Sequence, residues 1–306
     1  MEMTISLQQR YRGALLGLAC GDALGTTVEF KSRGSFAEVT TICGGGPFDL
    51  QAGQWTDDTS MALCLAESLI HKRTCDPRDQ MERYLNWYDR GYLSSTGVCF
   101  DIGNITRQAI SKFAETGQTL DANTHTSTAG NGSLMRLAPV ALFYAQDTAQ
   151  LLEMAALSSR TTHSAPACIE ACQLFALALQ AALAGKSKPE VLNLSGLPVQ
   201  HPELIEIASG KYQQKSRDEI LGSGYVVESL EAALWCFFKT DTLQEALLMA
   251  ANLGNDADTT AAITGQIAGA YYGCEAIPKP WLQTLYMANE IRDYADQLFA
   301  LRYRPG

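Results

Sequence analysis

The sequence predicts an all-α fold, and three observations carry that reading. Apolar residues recur at helical spacing along most of the chain. The segments they mark open on Ser, Asp, Asn or Thr, and several close on glycine, the punctuation of helix ends. Strand-like alternation is nearly absent: residues 39–43, Val-Thr-Thr-Ile-Cys, are too short and isolated to found a sheet.

In chain order, the first predicted helix spans 7–25 with Ser6 as N-cap. Gly13, Gly17, Gly21 and Gly25 recur along it every four residues, forming a bare ridge on one face. Each glycine costs about 1 kcal/mol against alanine in a helix. Close approach of another backbone offsets that cost, and Gly265, Gly269 and Gly273 repeat the device near the other end of the chain. The two ridges are therefore expected to meet. Further helices are predicted over 58–72, 77–91 (Asp76 as N-cap, Pro77 in the first turn), 104–117, 147–159 and 165–184. Four more follow at 225–238, 242–253, 257–272 and 280–301. The stretch 186–224, with Pro189, Pro198 and Pro202, reads as a loop-rich excursion. No linker divides the chain, so residues 1–306 are expected to form a single domain.

Composition narrows the function. The chain is 46% hydrophobic and 18% charged, below the roughly 25% charged of an average soluble chain. Disorder is excluded, because it needs low hydrophobicity and high charge. The net charge of −10 argues against nucleic acid as a partner. No run of eighteen uncharged apolar residues occurs, so no membrane span is expected. Met1–Thr4 shows no basic region leading into an apolar one, so no signal peptide is expected. Nine cysteines, mostly in apolar runs and without a CxxC, read as reduced thiols in a cytoplasm.

Two acidic clusters about 200 residues apart are built alike: Thr56-Asp57-Asp58-Thr59 and Asn255-Asp256-Ala257-Asp258-Thr259. Each stands where the chain enters a predicted helix. Capping accounts for one acid per helix, worth about 0.3–1 kcal/mol with the dipole. Paired acids repel, so doubling them twice calls for a counter-charge if the clusters converge. The donors are all oxygen, which suits Mg²⁺ or Mn²⁺ better than Zn²⁺, and two cations suit two clusters. Capping and metal binding both stand open on spacing alone.

The run Trp55-Thr56-Asp57-Asp58-Thr59-Ser60-Met61, the run Gly130-Asn131-Gly132-Ser133-Leu134-Met135-Arg136, and the glycine-rich segment 254–273 resemble the ADP-ribosylglycohydrolase family. So do the opening segment 13–25, which carries the Gly-Asp22-Ala-Leu-Gly motif, and Val28-Glu29-Phe30 after it. The motifs stand in family order over most of the chain. The resemblance implies an all-α fold with a dinuclear Mg²⁺ or Mn²⁺ centre at the base of a cleft. It implies Thr56, Asp57, Asp58, Asp256, Asp258 and Thr259 as metal ligands, and Asp22 as a structural anchor. The implied reaction is hydrolysis of the N-glycosidic bond between ADP-ribose and a side chain, typically arginine. Glu29 is implied as an acid near the metals and Asp101 as a second acid close to the ribose, with the proton-transferring residue undecided between them. Asn131, Gly132 and Ser133 are implied to meet the diphosphate through backbone N–H groups, and His163 to meet a ribose. Tyr225 is a further candidate, as a stacking face for adenine.

The partner implied is an ADP-ribosylated protein or small-molecule conjugate. Serine-linked, acetyl-linked or other small-molecule conjugates stay open as substrates, as does a non-catalytic ADP-ribose-binding relative. A two-metal phosphatase lacks the expected histidines and basic clamps.

Overall fold

Helix α1, Leu7–Gly25, is the spine of the molecule. Its start is a capping box: Ser6 Oγ accepts from the Gln9 N–H, and the Gln9 side chain accepts from the Ser6 N–H. Every residue from Gly13 to Gly25 is buried, so α1 is packed all round its circumference. The computed structural model describes residues 5–302, so the expectation placed on Met1–Thr4 lies outside the described residues.

The helices that follow enclose α1. They are α2 (Asp57–Lys72), α3 (Pro77–Arg90), α4 (Asn104–Thr116), α5 (Ala138–Tyr144), α6 (Thr148–Arg160) and α7 (Pro166–Leu183). After the short α8 (Lys188–Val191) and α9 (Pro202–Ala208) come α10 (Val226–Lys239), α11 (Leu243–Ala251), α12 (Ala257–Tyr272), α13 (Lys279–Thr284) and α14 (Ala288–Leu301). Asp76 and Asp147 cap α3 and α6, and left-handed Gly91 and Gly117 close α3 and α4, as the sequence punctuation predicts. Among the described residues only isolated bridges stand in place of strands, and the apolar side chains of all the long helices form one core.

The glycine ridges meet. α12 runs antiparallel to α1, with Gly13 facing Gly269, Gly17 facing Gly265, Gly21 facing Ala261 and Gly25 facing Ala257. A Cβ on Gly17 would stand 2.3 Å from the Gly265 oxygen, and one on Gly265 would stand 2.0 Å from the Gly17 oxygen. The two backbones therefore touch where side chains normally intervene. Gly273 departs from the expected ridge: it ends α12 at φ +74, and its open side faces Ile5.

Two expectations are corrected. The predicted helix 280–301 is two helices, broken at Met287 with φ +57. The break serves the loop before α2: Tyr286 N donates to Gly53 O at 3.0 Å, and Trp55 Nε1 donates to Tyr286 O at 3.1 Å. The apolar run after Ser133 is helical only from Ala138, because Gln266 of α12 takes over the backbone of the preceding turn. Its amide donates to Leu134 O and Met135 O, and its oxygen accepts from Ala138 N. Helix α7, which carries Glu170, is long and apolar enough to cross a membrane by length and composition alone. It is 61% buried inside the protein, as a core helix is, against α5, α6, α10 and α12.

The antiparallel pair fixes where chemistry can happen. The last turn of α1 lies beside the first turn of α12, so Glu29, four residues beyond Gly25, arrives next to Asp256 and Asp258.

Candidate functional site

Asp22, in the last turn of α1, organises the start of α2. Its Oδ1 accepts from Thr56 N (2.9 Å) and Thr56 Oγ1 (3.0 Å); its Oδ2 accepts from Thr59 N (3.0 Å) and Thr59 Oγ1 (2.6 Å). One carboxylate thus takes the donors that a cap would take, and the Thr56 side chain caps nothing. Asp256, the N-cap of α12, also makes no side-chain capping bond. Capping therefore does not account for these clusters.

The two helix starts interlock across the chain. Thr259 Oγ1 donates to Asp58 Oδ2 at 3.2 Å, and Thr56 Oγ1 lies 3.4 Å from Asp258 Oδ2. Glu29 is held against them by a backbone clasp: Phe30 N donates to Asn255 O and Asn255 N donates to Lys31 O, both at 2.7 Å. Carboxylate oxygens of Glu29, Asp101 and Asp258 lie within 4.8 Å of one another, close enough to share a cation. Phe30, Asp101 and Asn255 all adopt positive φ near +60. Asp and Asn tolerate that conformation, whereas for Phe30 it is strained, and such strain gathers at functional sites.

The electrostatics disfavour this many charged carboxylates without a counter-charge. Burial first, and the neighbouring acids second, push Glu29 up to about 9. Burial raises Asp101 to about 7 and Asp22 to about 6, the latter against the four hydrogen bonds it accepts. Asp57, Asp58 and Asp258 are raised far above the usual carboxylate range by burial and by one another, and Asp256 is raised by burial. Among the described residues no Lys or Arg forms an ion pair with any of them. Asp58 Oδ1 and Glu29 Oε2 are buried without a hydrogen-bond partner. Buried, unpartnered carboxylate oxygens are what a hard divalent cation requires, so the donor set fits one.

Above the acids opens a cleft of about 1120 Å³, ample for a dinucleotide-sized ligand. Glu29, Asp57, Asp101, Asp256 and Thr259 line it at the acidic end. Asn131, Gly132 and His163 line it further along, whereas Thr56, Asp58 and Asp258 lie beneath the surface. Asn131 ties the wall to the acids: its Nδ2 donates to Asp256 Oδ2 at 2.7 Å and to Ser229 Oγ at 2.9 Å.

Two candidates are placed elsewhere. Ser133 does not line the cleft; its Oγ accepts from Ser159 Oγ at 2.8 Å in the interior, because the chain turns inward after Gly132. Tyr225 also stands outside the cleft lining: its hydroxyl donates to Glu203 at 2.7 Å, and its backbone bridges to Gly130. The aromatic rings that do line the cleft are Phe30 (67% exposed) and Phe48, packed edge to face at 6.3 Å between centroids. Arg107 is the only Lys or Arg among the lining residues. No chemical motif in the sequence marks these three as cleft residues. Phe30 was signalled only by its place after Glu29, and Phe48 and Arg107 by nothing periodic.

Comparison with known proteins agrees with this geometry. The ADP-ribosylglycohydrolase family model matches residues 3–306. ADP-ribosylarginine hydrolase Tri1 of Serratia proteamaculans is 46% identical over 94% of this chain and 78% of its own length. ADP-ribosyl-(dinitrogen reductase) glycohydrolase of Rhodospirillum rubrum is 36% identical, covering 97% of each chain. A solved structure described as an ADP-ribosylglycohydrolase-related protein complex superposes with a TM-score of 0.87 at 42% identity, over 97% of this chain and 99% of that one. With two interlocked acidic helix starts under one cleft and a family match over nearly its whole length, this chain belongs to the ADP-ribosylglycohydrolase family.

Proposed function

We propose that this protein is a metal-dependent hydrolase that releases ADP-ribose from ADP-ribosylated arginine. The observation that carries the reading is the convergence of Asp57-Asp58 and Asp256-Ala257-Asp258 beside Glu29 and Asp101, buried and without a cation from the protein. The names of the relatives favour arginine as the linkage.

Thr56, Asp57, Asp58, Asp256, Asp258 and Thr259 would hold one or two Mg²⁺ or Mn²⁺ ions. Such ions, when bound, orient sugar hydroxyls and lower the pKa of a bound water. The chain's own groups do the rest. Asn131, Gly132 and His163 form the wall that positions the ADP-ribosyl group. Arg107 suits the diphosphate, since an acidic cleft otherwise repels it. Glu29 and Asp101, both at the acidic end of the cleft, are the carboxyls placed to take the proton that the attacking water gives up. In the reaction a water oxygen bonds to the anomeric carbon. The carbon–nitrogen bond breaks, its electron pair stays with the guanidine nitrogen, and that nitrogen takes a proton.

The partner is then an ADP-ribosylated protein or small conjugate. Nine free thiols, none in a disulfide, support a reducing compartment such as the cytoplasm. Asp58→Asn and Asp256→Asn are each expected to lose at least about a hundredfold in kcat/KM on ADP-ribosylated arginine with Mg²⁺ or Mn²⁺ present. Wild-type activity in both variants, or full activity of wild type in excess chelator, overturns the reading. A strong preference for serine- or acetyl-linked ADP-ribose would move the substrate while keeping the site.

A further inference from the structure

Behind the cleft wall lies a buried cation that the acids do not explain. Arg136 is the only buried Lys or Arg among the described residues, and it forms no ion pair. Its Nη1 donates to Gly132 O at 3.0 Å. Its Nη2 donates to Thr162 Oγ1 at 2.7 Å and to Thr161 Oγ1 at 3.2 Å, and the guanidinium lies 4.8 Å from the Tyr84 ring centroid. A buried guanidinium without a carboxylate is costly, and these neutral acceptors are what it has instead.

Thr162 Oγ1 also lies 2.7 Å from Nδ1 of His163. The direction of that bond follows from the donors available. A guanidinium can only donate, so Thr162 Oγ1 accepts from Arg136. The single Thr162 hydroxyl hydrogen then has His163 Nδ1 as its sole acceptor among the described residues. Pointing it elsewhere would leave a buried O–H unpaired, at a cost of about 1–3 kcal/mol. Nδ1 is therefore the acceptor, and the ring proton sits on Nε2. That edge of the ring faces the cleft past two glycines: a Cβ on Gly132 would stand 2.8 Å from His163 Cε1, and one on Gly130 would stand 3.3 Å from Nε2. Nε2 makes no hydrogen bond within the described residues.

We propose that Arg136 and Thr162 are positioning residues that lock His163 as the Nε2–H tautomer, presenting a neutral, directed donor to an oxygen of the ligand in the cleft. Burial and the nearby Arg136 charge push His163 down to about 3, which keeps the ring neutral at physiological pH. The flipped tautomer would offer a lone pair instead, which repels a diphosphate oxygen and leaves a ribose hydroxyl only the donor role. Gly130 and Gly132 are then glycines because side chains there would cover the donating edge. The inference rests on the proposed function only for the ligand being an ADP-ribosyl group.

The test reads the tautomer directly. Long-range ¹H–¹⁵N NMR of the wild-type protein, with the ring assigned through His163→Gln, is expected to show bare Nδ1 and protonated Nε2 down to about pH 5. A ring protonated at Nδ1, or charged near neutral pH, overturns the proposal whatever the enzyme does. Thr162→Val removes the donor to Nδ1 while Thr162→Ser keeps it. The valine variant is expected to show mixed tautomers and about tenfold weaker ADP-ribose binding by calorimetry, with KM raised and kcat changed less; serine restores all three. Unchanged binding in a valine variant whose tautomer has shifted also overturns it. Should Thr162→Val fail to fold, the wild-type spectrum decides alone. Parallel titration with ADP and adenosine places the oxygen: a loss confined to ADP-ribose assigns it to the distal ribose, one shared with ADP but not adenosine to the diphosphate, and one shared by all three to the adenosine. A wild-type protein with the expected tautomer and ADP-ribose binding, but no hydrolysis, would retire the proposed activity and leave this inference standing.

Discussion

Glu29 shows how far a single side chain is held from its solution behaviour. Its unfolded carboxyl titrates near 4.5, while burial and adjacent acids raise the folded one to about 9. A raised acid favours the fold only while protonated, so its ionisation penalises the metal-free protein increasingly as pH climbs from about 4.5 to about 9. Glu29→Gln removes that penalty. In chelator, the stability of the variant minus that of wild type is expected to rise with pH across that window, as measured by urea unfolding. A difference that stays flat would show that Glu29 is not destabilised by ionisation. Asp22 is also raised by burial, but only to about 6, because hydrogen bonds offset part of that cost. Its four hydrogen bonds favour the charged form and commit its lone pairs to Thr56 and Thr59, while Glu29, Asp57, Asp101 and Asp256 line the cleft.

Helix α1 with α12 is the element on which the site depends. Their glycine contact has no room for a methyl group, since a Cβ on Gly17 would fall 2.3 Å from a carbonyl oxygen of the partner helix. Gly17→Ala gains about 1 kcal/mol in helix propensity but clashes with backbone atoms that cannot give way, which puts the overpacking loss at roughly 3 kcal/mol, so the net is destabilising. Gly196, where an added Cβ would meet nothing within 4 Å, is the control: Gly196→Ala is expected to leave the unfolding midpoint within error. Because the same contact sets Glu29 beside Asp256, Gly17→Ala should also lower activity in the fraction that folds. Stability equal to wild type would contradict the contact.

At the scale of the whole molecule, helices from both halves of the chain close on one buried negative centre. Binding that neutralises it acts on the folded state alone, because unfolding scatters residues 57, 58, 256 and 258 along the chain. Mg²⁺ or Mn²⁺ at a hundredfold excess over its Kd is expected to add about 2.7 kcal/mol to unfolding. Thermal scans should show that gain in wild type and lose most of it in an Asp58→Asn, Asp258→Asn double variant. Equal gains in both proteins would place the ions elsewhere. The chelated protein should remain folded, since α1 and its neighbours form the apolar core independently of the acids.

Most of the long helices, their caps at Ser6, Asp76 and Asp147, the glycine ridges and the paired acids were legible in the chain of residues, because these are local signals of period, cap and spacing, whereas α8 and α9 lie in the stretch that reads as loop-rich. The family motifs were legible there too. The break at Met287 and the turn held by Gln266 were not, since both are made by partners more than a hundred residues away that override helix propensity. Nor did any local signal tell that Ser133 turns inward, that Tyr225 stands off the cleft, or that Phe48 and Arg107 line it. Those facts depend on which way a side chain faces once helices pack. That two acidic helix starts share one site was a matter for the folded molecule, because only the antiparallel glycine contact of α1 with α12 brings carboxylates 200 residues apart into a common desolvated space.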